Sequence, residues 1–386
     1  MRKFRDMKIL FAHNSLPEYR LKWFIEMSKK AKVKYIITNP ELAKRLYVID
    51  GEKYINNMLD CQFLDKGLHG YKELIMILKK EVYDFYELPP VDSFRDFLTS
   101  IVILVYAKKN KKGLGYFWEK WEAPREYQNL KRKLKNMIIG NAAKIIYRYA
   151  DVVFSPGKMN REYFIKNGVS RDKICFIPDC SEMSVCKYIN LREKYNIPNG
   201  VTIFLYFGRI IKQKGLDILI EAFGSLSEFE QSKSFLIVAG DGPFREECEL
   251  LARKLNVKNI VFCGRIDPHE RYNYFNQCDV FVHPGTFFEG RTDVWGLTLN
   301  EAIQCGKIII ATDAVGSSFE LINEKNGVLV KNNSVEDLLR AIKSAIGNTD
   351  LINSSIIEDK KIYSIYNSIN MANTYLEYCK KAVNKL

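Results

Sequence analysis

From residue 201 to residue 312 the chain alternates between two hydrophobic periods, and that alternation leaves few folds open. Continuous apolar runs at 201–207, 235–239, 260–263, 280–283 and 308–312 end in glycine, proline or polar turns. Between them, residues 217–223, 244–255, 270–277 and 297–305 carry apolar side chains at helical spacing. A strand without polar alternation must be covered on both faces, which helices above and below a parallel sheet provide. Strand and helix patterns in alternation therefore predict a doubly wound α/β domain with right-handed crossovers. Ligands of such sheets bind beyond the carboxyl ends of the strands.

The N-terminal half begins the same way. Residues 8–13 read as a buried strand and 14–20 as a loop. Residues 21–30 form a helix with Leu21, Phe24, Ile25 and Ser28 on one face, and 33–38 is a second strand. This is a βαβ unit, and it puts His13, Tyr19 and Arg20 at the ligand end of the sheet. Further on, 71–80 and 92–98 are expected as helices, and 83–86, 101–107, 151–155 and 173–178 as strands. Residues 108–121 read as a basic loop and 126–149 as a long helix. A chain of 386 residues is too long for one compact core. The expected division is a Rossmann-like domain at 1–188, a second at 189–361 and a closing helix at 362–386.

Composition points to a globular chain with an anionic partner. The sequence is 47% hydrophobic and 13% aromatic, which argues against disorder. Its formal net charge is +13, compatible with nucleic acid, an anionic membrane face or a phosphorylated small molecule. Much of the charge lies in 125–149, where Arg125, Lys131, Arg132, Lys133, Lys135, Lys144 and Arg148 interleave with Leu130, Leu134, Ile138, Ile145 and Ile146. Two readings are open for that helix: a solvated basic face, or an electrostatic foot on anionic phospholipid. Nucleic acid is not expected, because no nucleic-acid-binding motif accompanies the charge. Three places fit Trp118 and Trp121: a headgroup boundary, a stack on a sugar acceptor, or a core edge. The nine cysteines contain no CxxC pair and are expected as reduced thiols. The charged start, Met1-Arg-Lys-Phe-Arg-Asp6, does not read as a signal peptide. No apolar run approaches the roughly 18 residues of a membrane span. The expected location is cytoplasmic, with the cytoplasmic membrane face as the open alternative.

The chemistry-bearing residues concentrate between Tyr206 and Glu301. Tyr206-Phe-Gly-Arg-Ile-Ile-Lys-Gln-Lys-Gly215 is a strand that breaks into a glycine turn, holding Arg209 and Lys214 close together. Phe235-Leu-Ile-Val-Ala-Gly-Asp-Gly-Pro243 is a strand with a second glycine turn. Asp293-Val-Trp-Gly-Leu-Thr-Leu-Asn-Glu301 sets two carboxylates seven residues apart. Two cations, two glycine turns and a carboxylate pair at strand ends suit a ligand that joins phosphates to sugar hydroxyls. Taken singly each is ordinary: cations of a basic chain are commonly solvated, Glu301 could be a surface carboxylate, and a lone His13 is more often packed than catalytic. Gly240-Asp-Gly242 lacks the third glycine of a G-x-G-x-x-G fingerprint, which counts against a nicotinamide dehydrogenase.

A resemblance runs through the same residues in order. Gly208-Arg209 with Lys214-Gly215, Gly240-Asp-Gly-Pro243 and Trp295-Gly-Leu-Thr-Leu-Asn-Glu301 resemble the nucleotide-sugar domain of retaining GT-B glycosyltransferases of the family 4 type. So do Ala302-Ile-Gln-Cys-Gly306, Thr312-Asp-Ala-Val-Gly316 and Asn326-Gly327, and the likeness covers nearly all of 201–345. Leu16-Pro-Glu-Tyr-Arg20 is similar to one subset of that family. The resemblance implies an α/β fold of the GT-B kind, two Rossmann-like doubly wound parallel-sheet domains facing across a cleft that holds the active site. It implies a retaining, metal-independent hexosyltransferase of cell-envelope polysaccharide synthesis. The donor would be a nucleoside-diphosphate sugar, the acceptor a glycan or a lipid-linked glycan, and no further cofactor is expected.

The same resemblance assigns roles. Arg209 and Lys214 would grip the donor diphosphate and offset the charge that develops on it as the glycosidic bond breaks. Asp293 would contact the donor sugar, and Glu301 the ribose hydroxyls. Backbone N–H groups around Gly296 and Leu297 would face phosphate. Gly208 and Gly240 belong to the donor loops, and Arg265 and Ile266 would line the base pocket. His13, Tyr19, Arg20 and Trp118 are the candidates on the acceptor side. No metal-ligand spacing is present, and the Arg209/Lys214 pair can do the charge work of a divalent ion. The family pattern has Glu at both ends of the seven-residue spacing, whereas here the first is Asp293, one methylene shorter. Glu289 lies four residues earlier, but the register to Glu301 favours Asp293. This departure keeps open a non-catalytic nucleotide-sugar-binding scaffold. An epimerase or phosphorylase on the same frame is a further reading, without the cofactor-lysine signature a phosphorylase needs.

Overall fold

In a computed structural model, residues 4–39, 58–185 and 187–385 are described. Residues 1–3 of the charged start and Cys186 lie outside them. The chain divides into two compact units. One comprises Met1–Lys120, Leu130–Cys180 and Asn367–Leu386; the other comprises Trp121–Asn129 and Ser181–Tyr366.

Among the described residues the first unit holds seven strands: β1 (Lys8–His13), β2 (Lys32–Ile37), β3 (Cys61–Phe63), β4 (Phe85–Leu88), β5 (Gly113–Phe117), β6 (Val152–Ser155) and β7 (Ile174–Phe176). All pair in parallel in the order β3-β2-β1-β4-β5-β6-β7. Side chains alternate between the two faces, as a strand's period of two requires. Ile9 and Phe11 enter one core, and Leu10 and Ala12 enter the other. The first core lies under the helices Leu21–Lys30 and Ser368–Asn384. Tyr375 of the latter lies with its ring centre 4.7 Å from that of Phe154, the two planes tilted by 31°, and donates its hydroxyl to Glu87 Oε2 at 2.9 Å. Burial pushes the Glu87 carboxyl well above its ordinary value. The second core lies under the helices Gly67–Lys80, Phe94–Lys109 and Leu130–Tyr149.

The second unit holds β8 (Thr202–Phe207), β9 (Ser234–Ala239), β10 (Ile260–Gly264), β11 (Val280–His283), β12 (Ile308–Thr312) and β13 (Gly327–Val330). They too are all parallel, in the order β10-β9-β8-β11-β12-β13. Phe204 and Tyr206 face one core, Ile203 and Leu205 the other. The strand order reverses between β8 and β11, and in sheets of this kind ligands bind beyond the carboxyl ends of the strands at such a reversal. In the first unit the reversal lies between β1 and β4. Both sheets are of the doubly wound, Rossmann-like kind expected. Among the described residues no helix is long and apolar enough to cross a membrane.

Three expectations are corrected. Residues 101–107 are not a strand but the C-terminal half of the helix Phe94–Lys109, which buries Asp96, Thr99, Ser100, Ile103, Leu104 and Ala107 at helical spacing. Ser93 caps it, its side chain accepting the Asp96 N–H at 3.2 Å. Residues 108–121 are not one loop, since they contain β5. Its two glycines disguise it, but Phe85 fills the space a Cβ on Gly113 would need. A Cβ on Gly115 would collide with Phe85 and with Glu87. Residues 362–385 are two helices, Thr349–Ile365 and Ser368–Asn384. The break is at Asn367, which is extended and accepts the Asn370 N–H at 3.0 Å.

Candidate functional site

At the strand-order reversal of the second unit, the β8 loop folds onto its neighbours through backbone hydrogen bonds. Gly208 N–H donates to Ala239 O at 3.0 Å, Ile210 N–H to Asp241 O at 2.9 Å, and Phe244 N–H to Ile210 O at 3.1 Å. This closeness dictates the glycines. Gly240 sits at φ 145°, and a Cβ there would collide with the Gly208 carbonyl. Gly215 sits at φ 65° between the turn Lys212–Lys214 and the helix Leu216–Gly224, against the Pro284 carbonyl. Residues 284–296 of the β11 loop are tied on by Thr286 N–H to Gln213 O at 2.9 Å and Gln213 Nε2 to Thr292 O at 2.7 Å.

These contacts bring Lys214 and Asp293 into an ion pair, with His283 at the end of β11 as third member. His283 Nε2 lies 2.7 Å from Asp293 Oδ2 and 3.3 Å from Lys214 Nζ. The ring is buried, and its Nδ1 has no hydrogen-bond partner among the described residues. Burial, and then the Lys214 charge, hold His283 below its ordinary value, so the imidazole is neutral. Its Nε2–H donates to Asp293, and Lys214 keeps N–H groups for a further acceptor. Burial alone would raise the Asp293 carboxyl. The Lys214 charge and the His283 hydrogen bond outweigh it and hold the group well below the usual carboxylate range. Glu289 is at φ 49° in an exposed turn, Phe288 to Arg291. Arg209 is exposed and makes no ion pair or side-chain hydrogen bond with the described residues. Arg265 is exposed and Ile266 half-buried beyond β10.

A second cluster surrounds Glu301, in the first turn of the helix Thr298–Gln304. Its buried carboxylate pairs with Arg271 and accepts the Ser181 hydroxyl at 2.9 Å. The Arg271 guanidinium lies 4.8 Å from the centre of the Phe207 ring, a cation–π contact. Just before that helix, Gly296 takes φ 78°, with Leu297 half-buried after it. His283, Arg271 and Ser181 are the members that sequence reasoning missed. His283 ends a strand at the reversal point, which was the available signal; Arg271 and Ser181 gain meaning only from their contact with Glu301.

The remaining candidates belong to the first unit. His13 ends β1, with Nδ1 2.6 Å from Ser15 O; burial and the nearby Arg20 bring its pKa down to about 3. Tyr19 is exposed. Arg20 is buried, ion-paired with Glu119 and with Asp179 at 3.1 Å, and lies over the Phe117 ring. Trp118 fills a core edge, its indole N–H donating to Asp92 at 3.2 Å, so it offers no open face for stacking. Asn14 Nδ2 reaches the other Asp92 oxygen at 3.2 Å across the β1–β4 reversal. Trp121 belongs to the second unit, against Phe287 of the β11 loop.

Two such sheets with these reversal points define the GT-B class. The structure superposes on the Anabaena protein HepE in complex with UDP with TM-score 0.74 and 17% identity, over 97% of this chain and 100% of that one. Sucrose-phosphate synthase from Thermosynechococcus elongatus gives TM-score 0.74 and 17% identity, over 98% and 100%. Residues 188–361 match the family Glycosyl transferases group 1. An uncharacterized glycosyltransferase of Methanocaldococcus jannaschii is 28% identical over 57% of this chain and 56% of its own length. Alpha-monoglucosyldiacylglycerol synthase of Streptococcus pneumoniae is 30% identical over 45% of this chain and 38% of its own. The chain spans about half the length of the first curated relatives it matches.

Proposed function

We propose that this chain is a retaining, metal-independent glycosyltransferase that moves a sugar from a nucleoside-diphosphate donor to a glycan or lipid-linked acceptor of the cell envelope. The observation that carries the reading is the Lys214–Asp293–His283 cluster at the β8–β11 reversal, with Arg209 unpaired on the same loop. In this account Arg209 and Lys214 take the diphosphate, where a fork and a compact charge are complementary. Asp293, kept ionised and oriented by His283, accepts a hydroxyl of the donor sugar. Glu301, held by Arg271 and Ser181, accepts the ribose hydroxyls. The acceptor oxygen attacks the anomeric carbon on the face from which the diphosphate departs. Its proton passes to the leaving phosphate oxygen, so no separate base is required. Arg209 and Lys214 stabilise the charge gained by the leaving group. Support for a lipid-linked acceptor comes from relatives whose names specify lipid glycosylation, the S. pneumoniae synthase and a phosphatidylinositol monomannoside mannosyltransferase of Mycolicibacterium smegmatis.

The test is incubation with a panel of nucleotide sugars and cell-envelope lipid extracts, followed by NMR of the anomeric proton of any product. Transfer with the donor's own anomeric configuration is expected, and an inverted product would refute the retaining assignment. A second reading, a nucleotide-sugar-binding scaffold, is favoured by one observation: the shorter Asp293 is already closed on Lys214 and His283. That reading requires ligand binding without turnover, and no gain of turnover in Asp293→Glu.

A further inference from the structure

We infer that the helix Leu130–Tyr149 is a docking face for an anionic lipid surface. Its twenty residues contain six cations and no carboxylate. At 3.6 residues per turn, Leu130, Leu134, Met137, Ile138 and Ile145 fall within an arc of about 100°. All five are open to solvent, from 47% exposed at Ile145 to 83% at Leu130. Exposed lysines border the arc: Lys131 and Lys135 on one edge, Lys133 and Lys144 on the other. The opposite side of the helix, Asn136, Gly140, Ala143, Ile146 and Tyr147, is buried. The apolar stripe is therefore surplus to the helix's own packing, and a continuous stripe of this kind marks an interaction site.

The charge pattern selects the occupant. A nucleic-acid backbone would engage the lysines but has no use for a row of bare aliphatic side chains between them. A phospholipid surface offers both partners in the right geometry, hydrocarbon under the stripe and phosphates at its edges. Lysine stems can lie along the apolar boundary while the ammonium groups stay in the headgroup layer. The inference rests on this helix alone, so it and the donor-site reading can fail separately.

The experiment is flotation of the full chain with vesicles of phosphatidylcholine, with and without phosphatidylglycerol, at low and high salt and with no nucleotide present. Binding only to the phosphatidylglycerol vesicles, weakened by salt, is expected. Each cation near such a surface is worth about fivefold in partitioning. Lys131→Gln/Lys133→Gln/Lys135→Gln should then bind roughly a hundredfold more weakly. Leu134→Gln/Ile138→Gln, which removes apolar area without changing charge, should lose about tenfold or more. All five positions are exposed, so thermal unfolding of both variants should match the parent. Equal binding to both vesicle types, or parental binding by either variant, would overturn the inference. So would displacement of the vesicles by an RNA oligonucleotide with no effect of the apolar pair.

Discussion

The Lys214–Asp293 pair allows a prediction with a worked magnitude. Each side chain is 18% exposed, between a surface pair and a buried one. Surface pairs contribute up to about 1 kcal/mol, and breaking a buried pair costs about 3–5 kcal/mol. Lys214→Met should therefore destabilise the second unit by about 2 kcal/mol at neutral pH, leaving Asp293 with only His283. For a unit of this size that is a fall of roughly 4–8 °C in Tm. The double variant Lys214→Met/Asp293→Asn no longer buries an unpaired charge and should recover about half of the loss. The cycle completed by Asp293→Asn should give a coupling of about 1.5–2 kcal/mol. The pH dependence has a definite sign. In the parent, the depressed Asp293 contributes stability that is present above its unfolded value and is lost only as pH falls through the lower folded value. Without Lys214 only His283 opposes burial, the largest influence on the Asp293 carboxyl, and the folded value should rise above the unfolded one, which would make stability increase as pH falls. The deficit of Lys214→Met should narrow from pH 8 to pH 5. Urea denaturation followed by tryptophan fluorescence measures all of this. Additive effects within about 0.3 kcal/mol, or a deficit that widens toward pH 5, would refute the reasoning.

Other consequences follow from single residues. Gly240→Ala should cost about 3 kcal/mol or more, because φ 145° excludes a Cβ and the Gly208 carbonyl occupies its place; an unchanged urea midpoint would refute the tight loop packing. Glu87→Gln should stabilise the first unit at pH 8, with the gain shrinking toward pH 5. The raised carboxyl opposes folding only as pH climbs above its unfolded value, and a pH-independent difference would show that Glu87 is not held neutral. Arg271→Met should unpair the buried Glu301 and weaken nucleoside binding more than it weakens binding of inorganic pyrophosphate, as read by calorimetry.

How much of this was legible in the sequence depends on whether the signal was local. The continuous apolar runs of β1, β8, β9, β11 and β12 announced themselves, since both faces of a central parallel strand are buried. β5 did not, because the requirement for Gly113 and Gly115 comes from Phe85 and Glu87, more than twenty positions earlier. Residues 101–107 misled for the opposite reason: a seven-residue apolar run suits a strand or a buried helix equally, and only the Ser93 cap and the spacing back to Asp96 decide it. At the candidate site, Gly208, Gly215, Gly240 and Gly296 mark backbone turns that sequence spacing shows directly. That Lys214 meets His283 as well as Asp293, and that Arg271 covers Glu301, are facts of tertiary contact. Arg20 and Trp118 show the converse, polar or aromatic residues in a ligand-end loop that the fold uses internally.

The central claim is a diphosphate site on the β8 loop. Calorimetric titration of UDP, GDP, ADP and CMP into the parent and into Arg209→Ala tests it most directly. Arg209 is exposed and unpaired, so its removal should leave the Tm of the free protein unchanged. The account predicts that one nucleoside diphosphate binds the parent, CMP does not, and Arg209→Ala weakens that binding by about 10- to 100-fold, the worth of a charge-assisted contact. No binding of any diphosphate, or equal binding by the variant, would contradict it.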